Sequence, residues 1–206
     1  MDFADQVAFV VGRPLQTTIH APKKLITARS GYVKKACEDP KHASDGLLHL
    51  PFGNPDSFSR YLHVLHFDEV GAEEDEKTYM TLGYLVRLVH CYLLAEQLDD
   101  PASMDIFMDS LLRYVKEPRE QEEVFVIIRL IYSQPSPNTH PLKRLLVDWA
   151  VECWSFARLA IPSMKESERV FILDAAQAFA EKRDAEGKTS KADLESKNYF
   201  VAVEKA

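Results

Sequence analysis

Cysteine is scarce in this chain: Cys37, Cys91 and Cys153 are the only three in 206 residues. An odd number of widely spaced cysteines builds no disulfide framework and suits a reducing compartment, so an intracellular setting is expected, cytoplasm or nucleus. Catalytic signatures are missing as well. The sequence holds no Gly-x-Ser-x-Gly elbow, no Cys-x-x-Cys and no His-Glu-x-x-His, which removes the commonest hydrolase turn and the commonest zinc ligands. No 18-residue stretch is free of charge, so no membrane-spanning helix is expected. The opening "MDFADQ" carries acids where a secretory signal has basic residues before an apolar run. Basic charge is also in deficit. The 25 Lys and Arg stand against 32 Asp and Glu, a formal net charge of -7, and direct binding of nucleic acid, which needs concentrated cations to displace counterions, is unexpected. No internal repeat is present.

What the chain does have is apolar content. At 46% hydrophobic residues it fits one domain with a decoration, or two small domains. "QVAFVVG" is β-branched and aromatic, ends at a glycine before Arg-Pro, and is followed by "QTTIH", which predicts a hairpin. Leu25, Ile26, Ala28, Tyr32, Val33 and Ala36 recur at helical spacing in "KKLITARSGYVKKAC", and Gly31 predicts a break, hence two short helices. "GLLHLP" reads as a third strand. "NPDSFSRYLHVLHF" then reads as a helix capped by Asn54, with Pro55 in the first turn where a missing N–H costs nothing.

Beyond the acidic run "DEVGAEEDEK", read as a solvated loop, the pattern is helical. Leu82, Leu85, Val86, Val89, Leu93 and Leu94 define a long helix ending near "EQLDDP", and Asp100 and Pro101 start the next, with Ile106, Phe107, Leu111, Leu112 and Val115 on one face. Pro118 opens a further helix with an acid-rich first turn. The Pro- and Ser-rich "SQPSPNTHP" separates it from "LKRLLVDWAVECWSFARLA". Ser163 and Glu166 stand at capping-box spacing before the last helix, which fades into a charged stretch, and the closing "YFVAV" is apolar enough to dock.

Four segments in order, "VAFVVG", "LITARSGYVKKA", "LHLPFGNPDSFSRYLHVLH" and "LVHCYLLAEQLDDPASMDIFMDSLL", resemble a BTB/POZ domain, most nearly the fungal BTB proteins with a helical C-terminal extension. "SQPSPNTHPLKRLLVDWAV" is similar to a later segment of that group. The resemblance implies an α+β fold, a small three-stranded sheet surrounded by helices over residues 1–117, followed by an all-α extension over 118–206 whose last twenty or so residues are loosely held. It implies a non-catalytic protein–protein interaction module that self-associates, as a homodimer, or scaffolds partners. Phe3, Val7, Pro22, Leu25 and Arg29 then become the self-association candidates, and no cofactor or metal is expected.

Two departures carry weight. Pro22 stands eight residues before Ser30, where the family has a histidine, while His20 lies two residues too early. Members that recruit a cullin carry an apolar-x-Glu signal after the second helix, and "EDPKHASDG" has none, which counts against the alternative reading of a cullin-type ubiquitin ligase adaptor. Other residue groups invite chemistry. Ser30, His20 and Cys37 could act as nucleophile and base only if folding joined them; a capping serine and a packed thiol are the plainer reading. His63 and His66 are three apart on a helix but lack further ligands. Cys91 is expected to be buried. Lys34, Lys35 and Lys41 are too few, and too flanked by acids, for a phosphate site. Trp149, Trp154 and Phe156 share a helix: core packing is the first reading, with Trp149 or Trp154 as a partner anchor the second. A ligand-binding or enzymatic helical domain around His140, Trp149, Cys153 and Trp154 is the remaining alternative.

Overall fold

A computed structural model describes residues 5–12, 14–39, 47–50, 53–71, 82–115, 121–153 and 165–185. The elements run β1 (Gln6–Val11), β2 (Thr17–Pro22), α1 (Lys23–Arg29), α2 (Gly31–Glu38), β3 (Leu47–Leu50), α3 (Pro55–Phe67), α4 (Leu82–Gln97), α5 (Pro101–Val115), α6 (Gln121–Tyr132), α7 (Pro141–Cys153) and α8 (Glu166–Ala185). The fold is α+β: mostly helical, with a small mixed sheet. No helix among the described residues is long and apolar enough to cross a membrane.

Strand order in the sheet is β2-β1-β3. β1 and β2 form the expected antiparallel hairpin, with Val7 opposite Ala21 and Phe9 opposite Ile19. β3 returns parallel to β1, with Phe9 opposite Leu48 and Val11 opposite Leu50, and α1 and α2 lie in the connection that a parallel pair requires. Side chains alternate between faces along a strand, so Val7, Phe9, Val11, Ala21, Leu48 and Leu50 all point to one side, and all are buried. Phe9 meets Phe58 of α3 there, ring centroids 4.8 Å apart. Gly12 leaves β1 at φ +98, and its N–H donates to Leu50 C=O; a Cβ at that position would lie 2.7 Å from Leu15 C=O, so the turn admits only glycine without strain.

Helix starts follow local chemistry. Asn54 Oδ1 accepts the Asp56 N–H at 2.8 Å, and Pro55 fills the first turn of α3. The break between the first two helices falls at Ser30, one residue before the predicted Gly31, which instead opens α2. Ser30 suits the role because its hydroxyl can cap: it accepts the Val33 N–H at 3.0 Å.

Contacts divide the chain into one unit ending at Ser110 and another beginning at Leu111, so the division falls inside α5; the sequence reading put it after residue 117, between two helices. In the second unit α6, α7 and α8 pack against one another. Leu142, Leu145, Leu146, Trp149 and Ala150 form the buried stripe of α7, at the spacing of one helical face.

The start of α8 corrects one expectation. Ser163 lies outside the described residues, and the helix begins at Glu166, so it is Glu168, not Glu166, that reaches back. Its carboxylate accepts the Lys165 backbone N–H at 2.7 Å and also pairs with Arg129 Nε. Burial disfavours its charge, but the Lys165 amide and the Arg129 guanidinium outweigh that and hold the carboxyl below its usual range. A depressed carboxylate stabilises the fold above its unfolded pKa, near 4.5, and loses that contribution as pH falls through the folded value. Glu168→Gln is therefore destabilising at neutral pH, and its stability gap from the parent narrows below pH 4.5. Urea unfolding at a series of pH values measures this; a gap constant with pH would show that the charge of Glu168 contributes nothing.

Candidate interaction surface

Two short helices, α1 and α2, meet at Ser30 and pack against each other on one side of the first unit. They sit at this angle because Ser30 leaves the helical region, φ -91 and ψ 112, and spends its hydroxyl twice: it accepts from Val33 and donates to Leu98 C=O on the turn between α4 and α5. The same turn takes two more bonds, Gly31 N–H to Asp99 C=O at 3.0 Å and Tyr32 N–H to Leu98 C=O at 3.2 Å. Asp99 is left-handed, φ 55, and lies so close that a Cβ on Gly31 would come within 2.2 Å of its Oδ2. A side chain at position 31 would therefore make the exposed Asp99 side chain give way.

Arg29, the last residue of α1, anchors the corner from the other side. Its Nη1 donates to Asp68 Oδ1 at 2.7 Å, its Nε to Asp100 Oδ1 at 3.3 Å and its Nη2 to Ser103 Oγ at 3.0 Å. Asp100 is fully buried at the cap of α5 and accepts, besides Arg29, the Ser103 N–H at 3.0 Å, the Ser103 hydroxyl at 2.7 Å and the Tyr61 hydroxyl at 3.0 Å. Burial works against the charge on Arg29, but Asp100 and Asp68 outweigh it and raise its pKa further. Burial, with the Asp100 carboxylate beside it, also holds the Tyr61 phenol well above its ordinary value, so Tyr61 remains a donor. The cluster joins α1, α3 and α5 with every carboxylate oxygen of Asp100 occupied.

The self-association candidates separate in three dimensions. Val7 is buried on the inner face of the sheet, and Pro22 is exposed at the cap of α1, without a side-chain cap bond. Leu25 is half-buried on α1, and Arg29 is engaged in the cluster just described. Phe3 falls outside the described residues, as do Lys41, Trp154 and Phe156. Trp149 is buried in the second unit.

The groups that invited chemistry are also placed. His20 is exposed on β2, whereas Ser30 is buried with its hydroxyl committed, and Cys37 is half-buried on α2. Cys91 is buried on α4, its Sγ 3.7 Å from Ser57 C=O, and burial pushes its thiol up to about 12, which keeps it protonated and unreactive. His63 packs against the Phe67 ring at 4.6 Å, and His66 is exposed. His140 is buried and caps α7, its Nδ1 accepting the Leu142 N–H at 3.3 Å. Of Cys153 only the backbone is described. Among the described residues no group of three or more His, Cys, Asp or Glu is arranged to hold a metal ion.

Sequence reading missed the partners inside the polar cluster. It saw Asp100 only as a helix start and Asp68 only as the head of an acidic loop, because partners 71 and 39 residues from Arg29 leave no mark in local periodicity. No family model matches the chain, and no curated protein matches it either.

Proposed function

We propose that the chain is a protein–protein interaction module of the BTB/POZ kind, which self-associates or scaffolds partners through the side of the first unit that carries α1 and α2. The observation that carries this reading is the element order strand, strand, helix, helix, strand, helix, the order in which the four resembling segments run, in a sheet with β1 central and β3 parallel to it. Support also comes from how the polar side chains are used. Arg29, Tyr61, Asp100 and Ser103 satisfy one another, and Ser30 bonds to the Val33 and Leu98 backbone, which fixes the angle of an exposed helix pair instead of presenting groups to a substrate. Tyr32, at 38% exposure, and the half-buried Leu25 supply apolar area on that pair.

Sedimentation velocity from about 1 to 100 μM tests the reading, since a specific dimer in the micromolar range passes through its dissociation constant there. A concentration-dependent dimer is expected, weakened by Leu25→Asp with the circular dichroism spectrum unchanged. A chain that stays monomeric throughout and captures no partner would remove the basis for it.

A further inference from the structure

The chain as a whole is acidic, yet residues 23–37, "KKLITARSGYVKKAC", contain five cations and no acid, and α2 meets its one acid only at its last residue, Glu38. Folding gathers this run into one place, because α1 and α2 are consecutive and packed together. Arg29 is turned inward to Asp100, but the four lysines are exposed. Lys24 and Lys35, at 89% and 79% side-chain exposure, each face one exposed acid: Lys24 lies 3.6 Å from Asp5, and Lys35 lies 3.4 Å from Asp99. Exposed pairs of this kind are weak and exchange readily with other anions. Lys23 and Lys34 have no carboxylate partner among the described residues. Tyr32, partly exposed, lies within the same stretch.

We infer that the α1–α2 face is a docking surface for an acid-rich peptide segment of a protein partner. This rests on the interaction-module reading and adds to it the chemistry of the partner. Charge complementarity selects the ligand, and size supports it. At 1.5 Å per residue the two helices are each about 10–12 Å long, a span that an extended segment of roughly three to four residues covers. Tyr32, which stands between the lysine pairs in the chain and is exposed, offers such a segment an aromatic contact, the kind of anchor that interfaces favour. The net charge of -7 separates a peptide from a nucleic acid. A short acidic peptide senses mainly the local lysines, whereas a long phosphate polymer also meets the acids over the rest of the surface.

The test uses the full chain and a dye-labelled twelve-residue peptide made of Glu, Asp, Ala and Gly. Anisotropy should show saturable binding in about 50 mM salt, weakened about tenfold or more near 300 mM, where the screening length has shrunk. The double substitution Lys23→Glu with Lys34→Glu should weaken binding at least as much, with helicity unchanged, while Lys23→Arg with Lys34→Arg should retain it. No saturation by about 1 mM peptide, or equal affinity in the charge-reversed protein, overturns the inference. Tighter binding of a single-stranded oligonucleotide of equal charge also overturns it, in favour of a phosphate ligand. Absence of peptide binding at concentrations below those at which the chain dimerises rejects this inference alone and leaves the interaction-module reading standing.

Discussion

Asp100→Ala lowers the stability of the protein by about 3–5 kcal/mol, the usual cost of removing one partner from a buried ion pair. That corresponds to a melting temperature lower by roughly 6–20 °C. The size follows from what is left behind. Asp100 is fully buried and accepts four bonds, so alanine strands the Arg29 guanidinium beside a smaller, neutral side chain and leaves the Tyr61 and Ser103 hydroxyls to find new acceptors. It also removes the cap of α5, which alone costs about 1 kcal/mol. Arg29 keeps Asp68, which is 77% exposed, so water screens that pair and it compensates little. The double variant Arg29→Met with Asp100→Ala should be more stable than the sum of the two single losses allows, because no unpaired charge remains inside. Chemical denaturation of the four proteins in the cycle measures this. Strict additivity would mean that the two side chains stabilise the fold independently and that the cluster does not act as one unit.

How much of this was legible in the sequence depends on the range of the interaction. The hairpin was legible because β-branched alternation and the Gly-Arg-Pro turn are local, and so was the start of α3, since Asn54 and Pro55 are cap and first turn in adjacent positions. Alternation also had more to say than was taken from it. Val7, Phe9 and Val11 share one strand face, and that face is the core, so Val7 is buried. The division inside α5 had no signature, because its apolar spacing runs unbroken from Phe107 and Met108 through Leu111, Leu112 and Val115 across the boundary at Ser110. The candidate surface was half visible. Its lysines and Tyr32 stand next to one another in the chain, but their exposure depends on Ser30 and Gly31 bonding to Leu98 and Asp99, nearly seventy residues on.

Trp149 decides between two uses of the second unit. It is among the largest fully buried side chains, at 2% exposure, and it continues the stripe of Leu142, Leu145 and Leu146 along α7. The elements that pack with α7 contribute buried groups of their own, among them Ile127, Ile128 and Ile131 of α6 and Phe171 and Ala175 of α8. Removing an indole from such a setting opens a cavity that the surrounding helices fill only in part, and Trp149→Ala should cost about 3–5 kcal/mol. Trp149→Phe should cost less, since it retains an aromatic ring and part of the buried area. Thermal unfolding followed by circular dichroism at 222 nm reads both. The two roles differ in the size of the effect on this measurement: a core tryptophan loses most stability as alanine and less as phenylalanine, whereas a tryptophan held in reserve for a partner is replaced at little cost and shows its loss only in binding. A stability change under about 0.5 kcal/mol, the scatter of ordinary surface substitutions, would assign Trp149 to a partner and require the α6–α8 core to be filled without it.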